Sequence, residues 1–301
     1  MPLELNKPTA TKRGDPSVAT WLTAFVPGAG HMYLGHALLG LSIFALIEGL
    51  FFLGIKLSHG MSMQYLDPEL RMMIAPALMP EVGNAGALLW QLKTYGFGGN
   101  LPELWPATMR LGSTLTAVSG IANAFAMVHA HMLARTGNPA LSAKPAGDVA
   151  LGWLVPGLGH VAQGRKVRGA IVFVLLVGLF AAGTLLAEGS NLSRERHVFY
   201  WGGQFLIGLP AILGELAWGK LRVDHDIAYV DVGLVFACVA GLLNVLAMID
   251  VYAYREAKLL GLPLKSSGEH AKPATASAAP APVPTPTSAP GPSESKPAGV
   301  A

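Results

Sequence analysis

Formal charge is absent from this chain over blocks as long as membrane-spanning helices. Between Ser17 and Ile55 only Glu48 is charged, and between Gly169 and Ala187 nothing is. Such runs exceed the ~18 apolar residues that mark a spanning helix. The apolar pattern divides each half of the chain into four pieces. A short apolar segment (17–34 or 149–163) precedes a strong helix (37–57 or 169–187). A looser apolar region follows, 84–98 or 199–218, broken by glycine and, in the second half, by Pro210. A further strong helix closes each half, 111–133 or 227–252.

The two halves repeat one another. Val26-Pro27-Gly28-Ala29-Gly30-His31 returns as Val155-Pro156-Gly157-Leu158-Gly159-His160, an offset of 129 residues. The same offset carries Gly35, Gly40, Gly49, Phe51 and Gly54 onto Gly164, Gly169, Gly178, Phe180 and Gly183. In the closing helices the offset is 121, and Gly112, Gly120, Asn123, Ala126 and Met127 fall on Gly233, Gly241, Asn244, Ala247 and Met248. The central loop of the first half is therefore eight residues longer. A recurrence of this length indicates that one membrane unit was duplicated. The expected fold is an all-α, polytopic transmembrane bundle of two tandem homologous repeats. Its expected divisions are a cytoplasmic N-terminal segment (1–16), repeat 1 (17–134), a linker (135–148), repeat 2 (149–260) and a tail (261–301). The tail's Ala/Pro/Ser/Thr composition predicts disorder. The Met- and Pro-rich stretch 61–81 is expected at the membrane surface.

The stretch Pro27-Gly28-Ala29-Gly30-His31-Met32-Tyr33-Leu34-Gly35, with Gly40 opening the next helix, resembles the junction of the two-helix "TM-two" domain family. The second copy keeps Pro156, Gly157, Gly159, His160, Gly164 and Gly169 but has Ala162 in place of the tyrosine, and neither copy has the arginine that often follows the histidine. The layout is also similar to that of uncharacterised bacterial polytopic proteins. The resemblance implies a multi-pass protein of the bacterial inner (cell) membrane and no established activity.

Pro27 and Pro156 each remove a helical hydrogen bond and free the carbonyl four residues back. Such a segment spans as a kinked helix, or dips in and returns where protein shields its backbone. If these segments and the looser third pieces do not cross, four helices do. Lys12, Arg13, Arg135, Lys144, Arg165, Lys166, Arg168, Arg255 and Lys258 then share the cytoplasmic side, as the positive-inside rule asks.

Composition agrees with this reading. Hydrophobic residues make up 52% and charged residues 13%, with a mean hydropathy of +0.45, against ~25% charged in soluble domains. The net charge of +3 is scattered, which gives no footprint for nucleic acid. The one cysteine, Cys238, excludes an internal disulfide or a cysteine metal site. Lys7, Lys12 and Arg13 precede an apolar stretch, as in a signal peptide, but that stretch carries the repeated phrase and is expected to be retained. Trp21, Trp90, Trp105, Trp153, Trp201 and Trp218 fall near segment ends, as an interfacial belt requires.

Several residues are candidates for chemistry. His31 and His160 occupy the same place in both copies, so their imidazoles could face each other across the repeat interface as ligands or proton relays. The plainer reading has each bond a carbonyl freed by its proline. Glu48 is an acid deep in a spanning helix, a position that normally demands a partner; its duplicate is Val177. Asn123 and Asn244 follow ladders of small residues ending at Gly120 and Gly241, a pattern of close helix packing with a buried amide across the contact. His129 and His131 are two apart and face different sides of their helix. Asp250 aligns with His129, which leaves a His129–Asp250 contact open. No catalytic set, cofactor motif or metal motif is recognised, and no cofactor is expected. The expected partners are the lipid bilayer and either a second copy or another membrane protein. The expected function is a non-enzymatic structural or accessory helix-packing platform. The alternatives are a small-solute, ion or lipid transporter with its site at the repeat interface, and an intramembrane enzyme.

Overall fold

The computed structural model describes residues 14–62, 64–65, 79–86, 89, 93, 104–219 and 225–263. The predicted tail from Leu264 onward, the N-terminal segment before Gly14, Trp90 and most of 84–98 lie outside them. The fold is all-α, and the described residues contain no strand. Among the described residues, repeat 1 contains α1 (Pro16–Phe25), α2 (Ala29–Tyr33), α3 (Ala37–Leu57), a 3₁₀ turn (Pro80–Gly83) and α4 (Met109–Thr136). Repeat 2 consists of α5 (Pro139–Leu154), α6 (Leu158–Ala162), α7 (Lys166–Leu186), a 3₁₀ turn (Ser190–Leu192), α8 (Val198–Phe205), α9 (Leu209–Trp218) and α10 (Val230–Leu260).

Among the described residues four helices, α3, α4, α7 and α10, are long and apolar enough to cross a membrane, and this is a multi-pass membrane protein. Much of their surface faces outward. Leu46 and Leu175, equivalent positions of α3 and α7, are 73% and 64% exposed, which suits hydrocarbon and not water. Within each repeat the two spans cross at glycines. Gly54 meets the backbone of Gly112 and Gly183 that of Gly233, so neither contact has room for a side chain. This is the small-residue contact that brings membrane helices together.

The short helices do not span. Asp15 caps α1, its Oδ1 accepting from the Ser17 and Val18 amides, and Val26 and Pro27 end the helix. At the far end of the hairpin the Asp15 amide donates to the Tyr33 hydroxyl (3.3 Å), and Gly14 lies against Tyr33 and Leu34. Both ends of α1–α2 therefore sit together, and the segment dips in and returns. Repeat 2 makes the corresponding turn with α5–α6. A second hairpin, α8–α9, enters from the opposite end of the bundle, with Gly219 returning to the Leu192 carbonyl.

Three expectations are corrected. The stretch 135–148 is helical apart from Gly137 and Asn138: Gly137 closes α4 at φ 67°, and Asn138 caps α5 ahead of Pro139. The described part of 61–81 is packed inside, not laid on the surface. Met61, Tyr65, Met79 and Glu81 are buried, the first two against Met109. Trp153 and Trp201, only 4% and 1% exposed, are not belt residues. With Phe205 and Ile212 they pack against Ala117, Val118, Ile121 and Phe125 of α4, forming the apolar seam between the repeats.

Candidate functional site

The repeated phrase builds the same structure twice. Val26 and Val155, each preceding proline, are extended (φ −136° and −138°) as proline requires of its predecessor. Gly28 and Gly157 follow at φ 81° and 84°, a conformation that favours glycine. A methyl group on Gly28 would overlap the Gly40 carbonyl oxygen, and one on Gly157 would overlap that of Gly169. Gly35 and Gly164 turn the chain again at φ 86° and 84°. Gly30 and Gly159 lie against the Ala19 and Asp148 carbonyls, the close approach that admits α2 beside α1 and α6 beside α5.

The carbonyls freed by Pro27 and Pro156 are those of Thr23 and Gly152, and each has an asparagine donor. Asn123 Nδ2 donates to Thr23 O (2.9 Å) and Asn244 Nδ2 to Gly152 O (3.1 Å). Both asparagines lie half-way along their spanning helices, and each also holds the element entering from the other end. Asn123 donates to Gly83 O (2.8 Å), and Asn244 to Leu206 O (3.0 Å). Gly120 and Gly241, three residues earlier, let those elements approach, because Pro80 O and Gly203 O fill the space of a side chain. One amide per repeat thus ties two half-length elements to a through-going helix, satisfying oxygens that lipid could not.

The histidines are placed differently from either expectation. His31 and His160 do not face each other, and neither takes the freed carbonyl. His31 Nε2 lies 2.9 Å from His129 Nδ1 with the rings stacked, and His129 Nε2 donates to Pro139 O (3.2 Å). Burial, then the second imidazole, hold His31 down at about 4, so it is neutral at physiological pH. In repeat 2 the position of His129 is Asp250. His160 Nε2 lies 3.1 Å from its carboxylate, which also pairs with Arg165 (2.7 Å) and Arg168 (3.1 Å). Burial, then the Arg165 charge, lower the His160 value. The open His129–Asp250 contact is replaced by these two pairs, each inside its own repeat. Glu48 is partnered by the Asn84 side chain, beside Gly86.

A further cluster lies at the seam between repeats. Arg194 and Glu81, each with a side chain 1% exposed, pair at 2.7 Å across it. The Arg194 guanidinium also donates to Ser113 O (3.2 Å) and stacks over Trp201 and Tyr65, 4.2 and 5.0 Å from the ring centroids. Thr116 donates to the same Glu81 oxygen (3.1 Å). The Trp201 indole N–H donates to Glu215 Oε2 (2.9 Å), and Arg110 pairs with Glu195 (2.7 Å). At the other end of the seam Arg135 pairs with Glu256, which accepts from the Tyr252 hydroxyl (2.7 Å).

A protein-family profile described as "Family of unknown function (DUF6677)" matches this chain twice, over residues 17–140 and 148–261. The chain belongs to that family. Comparison with curated proteins and with solved structures returns no match. Each match covers a Pro-Gly turn, the paired spans and the asparagine, the second beginning within α5, so the family unit is the structural repeat and this chain carries two of them.

The structure therefore brings the predicted residues together in several small sets: the Pro-Gly turns with Gly40 and Gly169, the asparagines with the turn carbonyls, and each histidine with its own partner. Glu48 stands with Asn84, apart from the histidines. Sequence reasoning missed Glu81, Arg194 and Glu215. A signal for Glu215 was present, since it is an acid within the apolar run 209–218, the same anomaly that singled out Glu48. Glu81 and Arg194 gave none, because each lies in a connection and its partner is 113 residues away.

Proposed function

We propose that this family member is a non-enzymatic structural or accessory protein of the bacterial inner (cell) membrane, a rigid helix-packing platform for a second membrane protein or another copy of itself. The observation that carries the reading is the use made of its intramembrane polar groups. Asn123, Asn244, Glu48 and the His31–His129 pair each join elements of the protein to one another. Outward it offers the apolar faces of α3 and α7, which the duplication presents as equivalent surfaces. The transporter alternative called for Glu48, His31 and His160 around one interface, whereas each has its partner in a separate place. The orientation follows from Arg135, Arg165, Lys166, Arg168, Arg255 and Lys258, which cluster at one end of the four spans and favour the cytoplasm there. The junction's resemblance to the TM-two family supports the same membrane setting.

The test is photo-crosslinking in native membranes from a reactive residue placed at Leu46 or Leu175. The reading predicts discrete protein adducts from both positions. Lipid adducts alone at both would contradict it.

A further inference from the structure

We propose that Glu215 is a proton-binding site at the seam between the two repeats. Its carboxyl group is buried, and its two oxygens are treated unequally. Oε2 accepts the Trp201 indole hydrogen at 2.9 Å, while Oε1, also buried, has no hydrogen-bond partner among the described residues. Charged and titratable groups face it from every neighbouring element: Tyr65 from the loop after α3, Glu81 from the 3₁₀ turn, Arg110 from α4 and Arg194 from the connection before α8. Both guanidinium groups already have carboxylate partners, Arg194 with Glu81 and Arg110 with Glu195, each at 2.7 Å. Among the described residues no cation forms an ion pair with Glu215.

Charge balance makes the ligand a proton. With every group ionised, Arg110 and Arg194 stand against Glu81, Glu195 and Glu215, which leaves one negative charge in excess. One proton on Glu215 Oε1 brings the cluster to neutrality and needs no added space. A buried, uncompensated carboxylate raises its pKa until it takes that proton. Burial pushes Glu215 up to about 7, with Arg194 and the Trp201 bond only partly opposing it. Arg110, one of the cations facing Glu215, pairs in turn with Glu195, whose side chain is 35% exposed. This site does not depend on the platform reading. It requires only the packed seam.

The experiment is infrared titration of the full-length protein in phosphatidylcholine–phosphatidylglycerol vesicles, following the C=O stretch of protonated carboxyl groups from about pH 5 to about pH 9. The wild type is expected to lose a band with a midpoint near 7. That band is absent from Glu215→Gln, an isostere of the protonated acid, and persists in Glu48→Gln. No titrating band in the wild type, or one that survives in Glu215→Gln, would overturn the proposal. If Glu215→Gln does not fold, Arg110→Gln decides. Removing that cation must move the midpoint to higher pH, and an unchanged or lowered midpoint would overturn the assignment.

Discussion

A proline within a membrane segment leaves one carbonyl without its helical donor, and hydrocarbon supplies no replacement. Asn123 and Asn244 supply it in both copies, while also holding a second turn from the opposite side. Asn123→Ala and Asn244→Ala should each cost about 1–3 kcal/mol, the penalty for stranding buried acceptors. Denaturation in mixed detergent measures this, and a change no larger than that of a lipid-facing substitution would contradict it. His31 gives a pH prediction. Its folded value of about 4 lies below the ordinary 6.5, so folding favours the neutral ring. That contribution is complete above about 6.5 and is lost as the pH falls through about 4. The melting temperature should decline across this window, less steeply in His31→Gln; identical slopes would contradict the assignment. The aligned halves made both asparagines legible as packing residues. The donor that reaches each freed oxygen was not legible, because a helix 100 residues along the chain supplies it in repeat 1 and one 92 residues along in repeat 2, and the adjacent histidine looked closer.

At the scale of the element, the Pro-Gly turn is a single device used twice. Gly28 and Gly157 combine a positive φ with contact against the next helix, so alanine at either should destabilise by more than ~1 kcal/mol. The two losses should be similar, and loss confined to one repeat would contradict equivalent surroundings. The break at each proline was plain in the sequence, since Pro-Gly after an apolar run has few helical solutions. Whether the segment crossed or returned is settled by Gly30 meeting the Ala19 carbonyl and Gly159 that of Asp148, tertiary contacts that local pattern does not encode. The same limit explains 135–148. Gly137-Asn138-Pro139 reads as a linker, yet the same three residues close one helix and cap the next.

For the whole molecule, duplication supplies two similar units, and residues that the copies do not share join them. Arg194–Glu81 is the deepest such link, so Arg194→Gln should cost about 3–5 kcal/mol by leaving a buried carboxylate unpaired. Adding Glu81→Gln should restore part of that loss in the same denaturation measurement; a double variant no more stable than Arg194→Gln would contradict the pairing. The internal repeat made the architecture readable. It could not reveal the seam, because alignment of the halves exposes what they have in common and hides what is particular to each. The central claim, two copied units each folded around a hairpin that enters and leaves by one face of the membrane, is tested most directly by cysteine labelling in a Cys238→Ser background. A membrane-impermeant thiol reagent should modify Ser17→Cys, Ala37→Cys, Ala140→Cys and Lys166→Cys from one side, and His59→Cys and Glu188→Cys from the other. Labelling of the two ends of either hairpin from opposite sides would contradict it.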